Sequence, residues 1–153
     1  MISSTLQELM DLEKTGSYVF HGSGNAVEFF EPRQAHTVID GKKTPDGTPA
    51  VFASPFVDYA IFMALINKET FPQGYYSGCS FKNGALHFRA TQETLKKFNE
   101  SITGYVYLFN KDDFKKRNDS EWVSHEKIKP IKMIPVSKKD FLPPISVMDD
   151  DMA

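Results

Sequence analysis

The chain has 153 residues, 41% of them hydrophobic and 25% charged, with a formal net charge of −2. That length supports one domain with a real core, and that composition is globular rather than disordered. The charge balance excludes a strongly basic nucleic-acid binder, though not a local patch, and the single Cys79 excludes an intramolecular disulfide and a cysteine-rich zinc site.

Taken in chain order, Ser4-Thr5-Leu6-Gln7 reads as a capping box, and Leu6, Leu9 and Met10 share one helical face. A helix is predicted over residues 4–14, ended by Gly16. Met1 to Gly16 has no basic region followed by an apolar run, and no stretch reaches the roughly 18 apolar residues of a membrane span. The expected location is therefore soluble and cytoplasmic, or wherever a route not encoded here delivers the chain. A strand over Tyr18–Ser23 follows. Residues 24–49 hold Gly24, Pro32, Gly41, Pro45, Gly47 and Pro49, and read as a long irregular loop of the functional kind.

A second strand, 50–54, runs into a helix over 55–66, with Pro55 at its first position and Ser54 as the N-cap. Phe56, Val57, Ala60, Ile61, Met63, Ala64 and Leu65 wrap most of that helix, so it is expected to be buried on more than one side. Residues 75–82 and 85–90 read as a hairpin around Asn83-Gly84, a type I′ signal. A short helix at 92–98, strands at 104–110, 121–127 and 131–136, and a helical turn at 138–141 complete a single α+β domain over 1–147. Residues 148–153, with three consecutive aspartates, read as a frayed acidic tail.

Two places carry candidate chemistry. In strand 18–23, Val19 and His21 share one face, and Gly22 has no side chain to keep a ligand from the backbone. A satisfied structural histidine beside a strand-ending glycine is the plainer explanation of that dipeptide. In strand 121–127, Trp122, Ser124 and Glu126 share one face, and Glu121, Val123, His125 and Lys127 the other. An indole, a hydroxyl and a carboxylate together suit a partly apolar cleft, although a wet edge strand would serve as well. The four histidines, His21, His36, His87 and His125, have no metal-ligand spacing, so no metal is expected.

The ordered set His21-Gly22-Ser23, then Val51-Phe52-Ala53-Ser54 leading into Asp58-Tyr59-Ala60-Ile61-Phe62, then a late glutamate, resembles the ADP-ribosyltransferase superfamily. More narrowly it is similar to the histidine–aromatic–glutamate branch of diphtheria toxin, the poly(ADP-ribose) polymerases and the rifamycin-modifying transferases. The resemblance spans residues 18–127 and implies a split, strongly bent pair of small sheets with NAD clamped between them. On that basis His21 would hydrogen-bond the adenosine-side ribose of NAD and the Gly22 backbone the nicotinamide carboxamide. Ser23 would support a ribose or the turn, and Phe52 would line the nicotinamide pocket beside Ser54. Tyr59 or Phe62 would stack on the ring. Glu126 would stabilise the cationic ribose, with Ser124 two residues before it. Carboxylates suit oxocarbenium-like transition states, and aromatic faces suit a pyridinium.

Several features depart from the branch. Phe52 lacks the hydroxyl of the tyrosine often found there, and Ser124 replaces the Glu or Gln of arginine-modifying relatives, leaving the acceptor open among protein, nucleic acid and small molecule. Glu121 is the alternative carboxylate if the strand register slips by one, because a slip swaps faces. Arg33 offers a bidentate donor for the NAD pyrophosphate, or is an ordinary solvated loop arginine. Lys111, Lys115, Lys116 and Arg117 form a small basic cluster that reads foremost as a solvated face. A tRNA 2′-phosphotransferase-like enzyme and a silent binding module for NAD, ADP-ribose or a protein are the competing expectations.

Overall fold

The computed structural model describes residues 2–71 and 77–148. Helix α1 spans Ser4–Lys14, α2 Val57–Leu65 and α3 Gln92–Lys97. The strands are β1 Tyr18–Ser23, β2 Arg33–Ile39, β3 Lys42–Ala53, β4 Ser77–Lys82, β5 Ala85–Thr91, β6 Thr103–Asn110, β7 Lys115–Lys116, β8 Trp122–Ser124, β9 Lys132–Ser137 and β10 Ile145–Met148. They form sheets β1-β6-β9, β10-β5-β4 and β2-β3-β8-β7, antiparallel except where β10 runs parallel to β5. The chain is α+β, with three helices on mostly antiparallel sheets among the described residues.

The central sheet β1-β6-β9 separates two apolar cores. On one side Phe20, Val106, Leu108, Ile134 and Val136 pack with Leu6 and Leu9 of α1 and nearly every side chain of α2. On the other, Val19, Tyr107 and Phe109 meet Val51 and Ala53 of β3, with Phe114. Helix α2 lies against the sheet almost backbone to backbone. A Cβ on Gly22 would sit 1.9 Å from the Ala60 carbonyl oxygen, and one on Gly104 would sit 2.1 Å from that of Ala64. Close packing of α2 is thus a second reason for glycine at position 22, beside the access to the backbone expected from sequence.

Local chemistry explains other differences. Ser3, not Ser4, caps α1, its hydroxyl accepting from the Leu6 N–H. Helix α2 begins two residues after Pro55, with Phe56 at the cap position. The Ser54 hydroxyl accepts from the Phe56 N–H, and Glu13 of α1 caps the helix, accepting from the Val57 N–H at 2.7 Å. Residues 33–53 are not a loop but the hairpin β2–β3, turning at Asp40-Gly41 with φ of 51° and 75°. Those are the type I′ signs also found at Asn83-Gly84, with φ of 54° and 77°. Prolines at 45 and 49 are tolerated because β8 pairs only with Val51–Ala53, leaving the earlier part of β3 paired on one side. Strand β8 is three residues long, against the expected seven, and β10 was not anticipated. Of the expected tail, Met148 closes β10, and residues 149–153 lie outside the described residues, as do residues 75–76 of the expected hairpin.

Candidate functional site

Strands β1 and β3 touch at one bridge, where Phe20 and Ser54 exchange two backbone hydrogen bonds of 2.7 Å. Beyond it the strands part. In place of the next backbone bond, His21 Nδ1 donates to the Phe52 carbonyl at 2.5 Å. The carbonyl can only accept, so the proton sits on Nδ1 and Nε2 keeps its lone pair. Burial holds the imidazole below the usual histidine range, the Phe52 carbonyl opposes that shift, and Arg33 reinforces it. Phe30 packs edge-on to the imidazole at 4.7 Å.

The parting opens two cavities that share His21, Gly22, Phe52 and Asn67 in their walls. The smaller, about 320 Å³, is closed by Ala60, Met63 and Ile66 and edged by Tyr59, Arg117 and Glu121. The larger, about 640 Å³, is more polar and carries Arg33, Lys68 and Lys127 together with Glu31 and Glu69, beside Ser23, Asn25 and Phe29; Lys127 pairs with Glu31 at 3.8 Å. Tyr107 holds the loop that roofs it: its hydroxyl donates to the Asn25 carbonyl at 2.7 Å and accepts from the Val27 N–H at 2.8 Å.

Register decides which glutamate enters. Val51 faces Ser124 and Ala53 faces Trp122 across the β3–β8 ladder, and directly opposed residues share a face. Val51 and Ala53 belong to the second core, so Trp122 and Ser124 point there; Ser124 is buried. Phe52 and Val123 take the opposite face, and Glu121 continues it into the smaller cavity. Glu126 lies past the end of β8, exposed, and lines neither cavity that borders His21. Of the two glutamates expected as candidates, Glu121 and not Glu126 lies beside His21 and Phe52 in a cavity wall. Ser124 also drops out of the site, its hydroxyl accepting from the Glu126 N–H.

Of the other expected positions, Ser23 and Arg33 line the larger cavity and Ser54 and Tyr59 the smaller. Phe62 does not reach it: 1% exposed, it packs on Phe88 and Phe141 in the main core. Burial raises the Tyr59 hydroxyl, helped by Glu121 and Cys79 and opposed by Arg117, so it stays a proton donor at neutral pH. Burial likewise pushes the Cys79 thiol up to about 11, keeping it protonated.

Sequence reasoning missed Arg117 as a wall residue, stacked over Phe52 at 5.4 Å, and the loop that carries Glu121. Asn118 Oδ1 accepts from the N–H groups of Ser120 and Glu121 at 3.0 and 2.9 Å, and the backbones of Arg117 and Asn118 both donate to the Glu121 carbonyl. The Asn118-Asp119-Ser120 run is the legible sign of such a turn.

No family model, curated protein or solved structure matches this chain. The site's chemistry therefore rests on its own residues. They provide an apolar slot with one carboxylate, one phenol and one guanidinium at its edge. Next to it is a lone-pair imidazole, then a wider chamber with three cations and two carboxylates. Among the described residues there is no group of three or more His, Cys, Asp or Glu able to hold a metal, and no helix is long and apolar enough to cross a membrane.

Proposed function

We propose that this chain is an NAD-dependent ADP-ribosyltransferase of the histidine–aromatic–glutamate kind, with Glu121 as its carboxylate. The observation that carries the reading is the convergence of His21, Phe52, Tyr59 and Glu121 on one slot that adjoins a wider polar chamber carrying Arg33 and Lys68. Both volumes fall within the roughly 300–1,000 Å³ of small-ligand sites. The parting of β1 from β3 supports the split-sheet architecture of that superfamily.

In this reading nicotinamide enters the smaller cavity, its ring between Phe52 and Tyr59. The ADP half lies in the larger cavity, its pyrophosphate met by Arg33, Lys68 and Lys127. His21 Nε2 accepts from a ribose hydroxyl. Glu121 faces the nicotinamide ribose, where positive charge grows as the glycosidic bond breaks. The bond's electron pair leaves with the ring, turning the pyridinium into neutral nicotinamide. C1′ is then captured by an acceptor nucleophile, which gives up its proton.

The test is incubation with NAD labelled in the nicotinamide ring, with release followed in the presence of candidate acceptors and of water alone. Release by the wild-type chain is expected; its absence under every condition would remove the reading. One observation favours a second enzyme that consumes NAD, the tRNA 2′-phosphotransferase type. Arg33, Lys68 and Lys127 around the larger cavity suit a phosphate-bearing RNA as well as a pyrophosphate. Loss of the 2′-phosphate from an RNA oligomer would select it.

A further inference from the structure

We infer that Asn118 is a positioning residue for the Glu121 carboxylate, an assignment that rests on the transferase reading above. The two functions of its amide are separable. Oδ1 is committed to the turn, accepting from the Ser120 and Glu121 N–H groups and from the Ser120 hydroxyl at 3.3 Å. With the oxygen fixed there, Nδ2 faces the other way and donates to Glu121 Oε1 at 2.9 Å. Glu121 is thus tied at both ends: its backbone carbonyl by the Arg117 and Asn118 N–H groups, its carboxylate by the Asn118 side chain.

The consequence for catalysis is specific. A glutamate on a turn has three side-chain torsions to fix, and a carboxylate helps a cationic transition state only where it is already aimed. One donated hydrogen bond leaves the second oxygen, Oε2, for the ribose. Asn118 therefore orients the catalytic group without touching NAD, and its contribution belongs to the chemical step rather than to binding.

Asn118→Asp tests this because it keeps the oxygen that builds the turn, removes the donor and sets a like charge against Oε1. Nicotinamide release should fall at least tenfold in kcat with KM for NAD within about twofold. The acidic limb of its pH profile should move to higher pH, since a neighbouring carboxylate disfavours a second negative charge. Three-bond couplings in NMR should report one Glu121 rotamer in the wild type and averaging in the variant. Asn118→Ser, which keeps a turn-building oxygen without the charge, should give the kcat loss without the pH displacement. Unchanged kcat and a single Glu121 rotamer in both variants would overturn the assignment. A wild-type chain that releases no nicotinamide would instead overturn the transferase reading, and the Glu121 couplings would still decide the role of Asn118.

Discussion

His21 donates from Nδ1 to the carbonyl of Phe52, and this side-chain bond stands where β1 and β3 would otherwise continue their ladder. Strand separation and imidazole tautomer are thus one feature: the contact that stands in the gap also leaves Nε2 able to accept a hydrogen bond.

That feature predicts a pH dependence. Folding holds His21 neutral below the ordinary histidine range, mainly through burial. As pH falls, the unfolded chain takes up the proton first, so the stability present above about pH 6.5 is lost below it. Melting temperatures measured from pH 7.5 to 5 should fall more steeply for wild type than for His21→Asn. Parallel curves would show that the imidazole is not held neutral.

Gly22 predicts a packing effect. Gly22→Ala puts a methyl 1.9 Å from the Ala60 oxygen, and the obstacle is backbone that cannot turn aside. The expected loss is about 3 kcal/mol, or roughly 10 °C in Tm, and Gly104→Ala should behave alike. Gly84→Ala is the contrast. It has open space around it, and its φ of 77° gives it only the smaller strain of the left-handed region. Urea unfolding of the three variants would check the order.

The start of α2 predicts an opposite sign. Burial raises the Asp58 carboxyl, and the charge of Glu13, which caps Val57, adds to it. The native state then holds a proton that the unfolded chain has released, so Asp58 costs stability as pH rises above about 4. Asp58→Asn should be more stable than wild type at pH 7, with the gain vanishing near pH 3. Glu13→Ala, by contrast, should lose about 1 kcal/mol through the missing cap. Denaturation at both pH values separates the two.

Much of this architecture was readable where local chemistry is strong. The α1 span, β1, the Asn83-Gly84 hairpin and the short α3 all follow from periodicity, caps and turn residues within a few positions of each other. The β2–β3 hairpin was not, because Pro45, Gly47 and Pro49 signal breakage unless one knows that β3 is paired on one side there. Asp40-Gly41 was the overlooked sign. Phe62 illustrates the other limit. An aromatic on an all-apolar helix has no local mark of whether it meets a cleft or a core, and only the packing of α2 on Phe88 and Phe141 decides it. The same holds for β8, where alternation names two faces, but the partner strand, through Val51 and Ala53, chooses which is buried.

The exchange of Glu126 for Glu121 is the point on which the functional account turns. Nicotinamide release from NAD should fall about a hundredfold or more in Glu121→Gln and stay within about twofold of wild type in Glu126→Gln. Full activity in Glu121→Gln, or its loss in Glu126→Gln alone, would contradict the account.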